Sequence, residues 1–258
     1  MPGITGLTKK NNMALHLYLI RHGETTWSLT HQHTGRTDIP LTEHGEDEAR
    51  QLGKRLSGTR FAHVLSSPSC RAQRTCALVG LGKDAEIQAD LAEWNYGDYE
   101  GGCTADIRKG RPDWNIFRDG CPGGETPEQV SDRADRLIAH LRTLDGKVAL
   151  FSHGQFGCVL AARWIGLPVI DGPHFVLGTA SLSVFGYDPD HPTVPVISLW
   201  NAFSHEMLEL LPHPPLGDIR TMKERAMQRW ETDGGEIPNE VSQPSSVHET
   251  KVSRLISR

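Results

Sequence analysis

The chain has 258 residues, of which 37% are hydrophobic and 23% charged, with a formal net charge of −5. That length holds one large domain or two small ones and can bury a sizeable core. The charge gives no reason to expect nucleic acid or an acidic membrane as a partner, so any anion site must be a local cluster of cations.

In chain order, residues 1–13 read as a polar leader; Lys9 and Lys10 have no apolar core after them, so no secretory signal is expected. Residues 15–20 are an apolar run that reads as a buried strand. It stops at Arg21, His22 and Gly23, where a sharp backbone turn at the glycine is expected. A polar loop, 25–40, follows. Thr42 then caps a helix whose inward stripe is Ala49, Leu52 and Leu56. Residues 61–65 form a second strand, closed by Ser66-Ser67-Pro68. Ser67 reads as the N-cap, and Pro68 as the first position, of a helix facing inward with Ala72, Cys76 and Val79.

Residues 91–102 are irregular, 104–109 read as a short helix, and 114–124 as a Gly/Pro-rich loop. Thr126-Pro127-Glu128-Gln129 is a capping box. It opens an amphipathic helix carrying Val130, Ala134, Leu137, Ile138, Leu141 and Leu144. A third strand, 147–151, ends in Ser152-His153-Gly154 and leads into an apolar helix, 156–165. Residues 181–187 and 194–199 read as an antiparallel strand pair. From Pro212 the composition turns to proline, charge and serine, with a helix expected near 219–230 and disorder over 234–258.

Strands alternating with helices predict a three-layer α/β/α sandwich with a mostly parallel, mixed sheet. The domain is expected over 14–211, with 212–258 as a C-terminal extension. No run approaches the roughly 18 apolar residues of a membrane span. Five cysteines without a CxxC pair predict reduced thiols in a cytoplasmic protein and read as small buried residues.

In open α/β sheets, ligands bind beyond the carboxyl ends of the strands. Those ends would bring together Arg21, His22, Arg71 and His153. Two guanidiniums and two imidazoles around one point suit a dianionic phosphoryl group. The helix start at Pro68 is expected to add backbone N–H groups. A neutral imidazole can attack phosphorus and form a phosphoramidate, while the cations neutralise charge on the equatorial oxygens. A carboxyl group must protonate the leaving oxygen. Glu93 is the first candidate, with Trp94 and Tyr96 expected to desolvate it; Glu24 is the rival. No histidine pair has the spacing of a zinc site and no carboxylate cluster suits magnesium, so neither metal nor cofactor is expected. His31, His33, His44, His63, His140, His174, His191 and His213 read as surface or loop residues. Trp94, Tyr96, Tyr99 and Trp114 divide between core packing and pocket wall.

The motifs Arg21-His22-Gly23-Glu24-Thr25, Thr34-Gly35 with Asp38-Ile39-Pro40-Leu41-Thr42, Ser66-Ser67-Pro68-x-x-Arg71-Ala72, Glu93 with Tyr96-Gly97, and Ser152-His153-Gly154 together resemble the histidine phosphatase superfamily, also called phosphoglycerate-mutase-like. The resemblance covers about residues 15–205. It implies a phosphohistidine at His22, phosphoryl binding by Arg21, Arg71 and His153, proton transfer by Glu93, and substrate contacts at Ser28, Thr34, Gly35, Tyr96, Gly154 and Gln155. Trp27-Ser28, the run from Trp94 to Gly101, and Trp114 to Pro122 with Gly124-Glu125-Thr126 resemble the branch of fungal sedoheptulose-1,7-bisphosphatase and related bacterial acid phosphatases.

Relatives in that branch often carry His and Arg where this chain has Gln155 and Cys158, so a bisphosphate preference is not implied. The resemblance implies a small phosphorylated metabolite as substrate, a sugar phosphate among the options. It leaves the oligomeric state open, a homodimer included. Two alternatives stand beside the phosphatase: a phosphoglycerate mutase, and a catalytically inactive phospho-ligand-binding module. Mutases carry a longer, more cationic insertion between the glutamate and the second histidine. Here that segment is compact, and its cations are mainly Arg108, Lys109, Arg111 and Arg118.

Overall fold

The computed structural model describes residues 14–203. The leader 1–13 and the extension 212–258, where a helix near 219–230 and disorder over 234–258 were expected, lie outside the described residues. In chain order the elements are β1 (His16–Arg21), α1 (Thr26–Leu29), α2 (Glu43–Leu56), β2 (His63–Ser66), α3 (Cys70–Val79) and β3 (Ala85–Ile87). Then follow α4 (Thr104–Gly110), α5 (Ile116–Asp119), α6 (Pro127–Leu141), β4 (Lys147–Ser152), α7 (Gly154–Trp164), β5 (Leu182–Tyr187) and β6 (Pro195–Ala202).

The six strands form one mixed sheet in the order β3-β2-β4-β1-β5-β6. The first four run parallel; β5 is antiparallel to β1, and β6 is antiparallel to β5. Alternate strand residues point to opposite faces. Leu17, Leu19, Val148 and Leu150 therefore pack on one side, against Leu137 and Leu141 of α6 and Val159 and Leu160 of α7. Tyr18, Ile20, Ala149 and Phe151 pack on the other, against Leu52 and Leu56 of α2 and Ala72 and Cys76 of α3. The result is the three-layer sandwich.

Local signals set most helix starts. Thr42 accepts a hydrogen bond from the Gly45 N–H at 3.0 Å, and Thr126 and Gln129 cap each other reciprocally. Two starts differ from expectation. The helix expected from Pro68 begins at Cys70, with Ser69 as N-cap and no side-chain capping bond. Ser67 still accepts the Ser69 N–H at 3.3 Å, but its shorter contact is with a histidine described below, and the helix starts two residues later than expected. The loop 25–40 holds a one-turn helix, α1, closed by a capping box between Thr25 and Ser28. The edge strand β3 was not expected; three residues carry too little period-2 pattern to announce themselves.

The register aligns the carboxyl ends that matter. Arg21 of β1 stands opposite Ser152 of β4, and Ser66 of β2 opposite Phe151. His22, Ser67 and His153 thus leave the sheet along one edge.

Candidate active site

β1 delivers Arg21 and His22. Backbone bonds pin the exit: His22 N–H donates to Ser152 O at 3.0 Å, and Ala180 N–H donates to His22 O at 3.1 Å. Gly23 has no positive φ, so the left-handed freedom of glycine is not what this position uses. A Cβ on it would lie 2.3 Å from the Gly45 carbonyl oxygen. Glycine is required because β1 and α2 meet backbone to backbone. The His22 ring is 5% exposed, and its Nδ1 sits 2.8 Å from the Gly23 carbonyl oxygen. Burial, then the charges of Arg21 and Arg71, hold its pKa well below the ordinary histidine value. Arg21 donates from Nη1 to Leu177 O, while its buried Nε has no partner.

From β4, His153 is fully buried at the N-cap of α7. Its Nε2 lies 2.7 Å from Ser67 Oγ and 3.3 Å from Ser69 Oγ. Its Nδ1 is buried without a partner. Burial first, then Arg71, His22 and Arg21, lower its pKa well below the ordinary value. The two imidazole centroids are 5.2 Å apart. Gly154 begins α7 against the Arg21 guanidinium, where a Cβ would stand 3.4 Å from Cζ.

Arg71, from α3, is fully buried. Its Nη1 donates to Thr37 O at 3.0 Å, and its Nη2 to Thr34 O and Gly35 O at 2.9 and 3.0 Å. Glu100 accepts the Gly35 and Thr37 N–H groups from the same loop. The loop is thereby gripped through its carbonyls by one charge and through its amides by the other. Arg71 Nε remains buried and without a partner. The Cys70 N–H at the start of α3 is taken by Asp38 Oδ1 at 2.8 Å, so it is not free for a ligand.

Glu93 follows a short 3₁₀ turn, Ala89–Leu91. Its carboxylate accepts three backbone N–H bonds, from Trp94 (2.8 Å), Gln155 (3.0 Å) and Phe156 (2.7 Å). The apolar enclosure expected from Trp94 and Tyr96 is thus replaced by polar donors. Trp94 turns inward and donates to Glu125 O. Glu24, the rival acid, is engaged elsewhere, accepting from the Thr42 hydroxyl at 2.6 Å.

An open cleft of about 440 Å³ is lined by Glu93 and His153, with Ser67, Gly35, Arg36 and Arg133 among its other walls. Arg108, Lys109, Arg111 and Arg118, the cations singled out in the sequence, are all exposed and line no part of it. Arg133 does, and sequence reasoning missed it. The available signal was its position three residues after Val130 and four before Leu137, on the apolar face of α6.

Ser28 is spent on the α1 cap, donating to Thr25 O at 2.9 Å. Thr34 and Gly35 meet the site through the carbonyls held by Arg71. Tyr96 is 3% exposed and stacks on His33 at 4.5 Å. With Trp94 and Trp114 it belongs to the core, and Tyr99 packs partly buried against it. His33 is half-buried, and burial lowers its pKa from 6.5 to about 4. Cys158 is buried, its thiol donating to Phe175 O at 2.9 Å; burial raises its pKa to about 12. All five cysteines are free; Cys76, Cys121 and Cys158 are buried as expected, whereas Cys70 and Cys103 are half-buried. Among the described residues no group of His, Cys, Asp and Glu is arranged to hold a metal ion, and no helix is long and apolar enough to cross a membrane.

The family model described as the histidine phosphatase superfamily (branch 1) matches residues 17–201. The chain is 40% identical over 178 residues to an acid phosphatase of Mycobacterium tuberculosis, covering 67% of this chain and 86% of that protein. It is 36% identical over 214 residues to sedoheptulose 1,7-bisphosphatase of Saccharomyces cerevisiae, covering 70% and 77%. A probable phosphoglycerate mutase of Salmonella choleraesuis is 32% identical over 184 residues, covering 67% and 85%. A solved structure of an open reading frame from Mycobacterium tuberculosis matches with a TM-score of 0.70 at 36% identity, covering 76% of this chain and 100% of that one.

Proposed function

The chain belongs to the histidine phosphatase superfamily and is a phosphatase, and from that premise we propose that it hydrolyses small phosphomonoesters, sugar phosphates among them, by way of a phosphohistidine at His22. The observation that carries this reading is the 2.8 Å contact between His22 Nδ1 and the Gly23 carbonyl oxygen. A carbonyl only accepts, so Nδ1 holds the ring proton and Nε2 keeps its lone pair. With the pKa well below the ordinary value, that neutral nucleophile persists at physiological pH.

In the first step Nε2 attacks phosphorus. The P–N bond forms and the bond to the leaving oxygen breaks. Glu93, protonated on Oε2, the oxygen that takes only one amide donor, gives the leaving oxygen its proton. In the second step water attacks the phosphohistidine and Glu93 takes its proton, returning neutral His22 and inorganic phosphate. The buried Nε atoms of Arg21 and Arg71 lack partners within the protein, and a phosphoryl oxygen would accept from both. The Ser67 hydroxyl lies close enough to donate to His153 Nε2, which leaves the proton on Nδ1 to face the phosphoryl group.

Gly35 and the rim beyond Glu93 receive the alcohol portion; Tyr96 packs beside Gly35, Thr34 is held next to it by Arg71, and Gly154 and Gln155 act through Arg21 and the Glu93 carboxylate, while Ser28 is left to the α1 cap. The catalytic domain extends over 14–211, with 1–13 and 212–258 dispensable for turnover, and the protein works in the cytoplasm with its thiols reduced.

Turnover of p-nitrophenyl phosphate tests the reading, combined with a quench during the steady state. Wild-type protein is expected to release phosphate and to trap a base-stable, acid-labile phosphoryl group that His22→Ala does not trap. A mutase would shuttle phosphate between hydroxyls with little net release, and a binding module would turn nothing over. Wild-type turnover by His22→Ala would overthrow the assignment.

A further inference from the structure

Arg133 is 8% exposed in the middle of the apolar face of α6, where a cation is tolerated only when fully paired. Its pairing is complete. An arginine has five N–H donors, and each finds an acceptor here. Nε and Nη2 fork onto the Glu125 carboxylate, both at 2.8 Å. Nη1 donates to the carbonyls of Asp90 (3.0 Å) and Ala92 (2.7 Å). Nη2 also reaches the carbonyl of Glu93 at 3.4 Å. Three of these acceptors are the backbone that carries Glu93 to the cleft. The guanidinium also lies 4.3 Å over the ring of Phe156, whose N–H is one of the donors to the Glu93 carboxylate. Glu125 extends the brace by accepting the Asn95 N–H at 2.8 Å.

We propose that the Arg133–Glu125 pair is the positioning device for Glu93, fixing both the backbone below its carboxylate and the helix turn that holds the carboxylate in place. The inference rests on the reading of Glu93 as the proton donor. Although Arg133 lines the cleft, it has no donor left for a substrate anion, so its effect passes through Glu93. A misplacement of about 1 Å can cost roughly 10²-fold in rate. Lysine keeps the charge but has three donors on one nitrogen, so it cannot make the planar fork to Glu125 and also hold the three carbonyls.

The test is single-turnover phosphorylation of the full chain with an alkyl phosphate and with p-nitrophenyl phosphate, whose leaving group needs no proton. Four proteins are compared: wild type, Arg133→Lys, Glu93→Gln and the double variant. Arg133→Lys is expected to slow the alkyl substrate roughly 10- to 100-fold and the aryl substrate less than about threefold. In the Glu93→Gln background the same change should add less than about twofold, because the group it positions is already disabled. A loss in Arg133→Lys that is equal for both substrates, or that persists undiminished in the Glu93→Gln background, overturns the inference. If Glu93→Gln itself shows no leaving-group bias, the proton-donor reading fails, and the positioning inference falls with it for that separate and visible reason. Should Arg133→Lys fail to fold, Arg133→Met with Glu125→Gln removes both charges together and is scored by the same criteria.

Discussion

β1 and β4 run parallel with Arg21 opposite Ser152, so His22-Gly23 and His153-Gly154 leave the sheet side by side. The two dipeptides are the same in sequence and opposite in use. At His22 the ring is oriented by the next residue's own carbonyl through Nδ1. At His153 it is oriented through Nε2 by Ser67, from a different strand end. Gly23 is glycine because α2 presses its backbone against it, whereas Gly154 opens a helix with ordinary space around it. A strand end delivers an imidazole to the edge of the sheet. Which nitrogen then faces the chemistry is decided by the nearest hydrogen-bond partner of the other nitrogen.

The largest break in that symmetry is expected in activity. His22→Ala should abolish turnover and leave no phosphoryl group to trap, which a quench experiment measures. His153→Ala should still form the phosphoenzyme, because only a donor to the phosphoryl group is lost. Its kcat is expected to fall about 10²–10³-fold, the scale for one preorganised donor. Equal residual activities for the two variants would erase the distinction between the rings.

The glycines should separate in stability. Gly23→Ala forces a methyl group onto a backbone oxygen, and urea unfolding should report a loss of about 3 kcal/mol. Gly154→Ala should change stability by less than about 1 kcal/mol, since the nearest atom is an ordinary van der Waals contact away. Ser67→Ala frees the His153 ring while leaving His22 untouched. The short bond of Ser67 to His153, worth about 1 kcal/mol, outweighs its longer contacts with Ser69, and its loss should lower kcat/KM about 3- to 10-fold.

The smallest effect is in the pH dependence of stability. Both imidazoles have folded-state pKa values well below 6.5, mainly through burial. The unfolded chain therefore takes up protons that the folded chain refuses. The stability contributed by the two neutral rings is whole above pH 6.5 and is lost as pH falls through that value toward the folded ones. At pH 6.5 the loss is about 0.4 kcal/mol for each ring and grows with further acid. Replacing both histidines by asparagine should flatten this part of the stability curve, as denaturant titrations at pH 7.5, 6.5 and 5.5 would record.

Much of this architecture was legible because its causes are local or periodic. The apolar runs before Arg21 and His153 needed only their composition to be read as strands. The stripe Val130, Ala134, Leu137 and Leu141 needed only a helical period, and the caps at Thr42 and Thr126 lie within one turn of the amides they satisfy. Ser67 was misread for the same reason that Thr42 was read well. A serine before a proline looks like a cap locally, but here a histidine 86 residues away competes for its hydroxyl at 2.7 Å and the helix starts later. Arg133 was passed over because its acceptors are carbonyls at 90, 92 and 93, and a backbone oxygen has no signature in sequence.

The sequence by itself determined the alternation of strands and helices, the grouping of cations and imidazoles at strand ends, and the choice of Glu93 as the acid worth examining. Hydrophobic periodicity and residue chemistry act over short stretches of chain, and a single sequence displays both. Only the tertiary structure decided the tautomer of His22, the partner of the His153 ring, the engagement of Arg71 with the 34–37 loop, the three amides on Glu93 and the brace behind it. Each depends on backbone atoms brought within about 3 Å by parallel pairing and by helices packed across the sheet, and those distances exist only once the layers have closed.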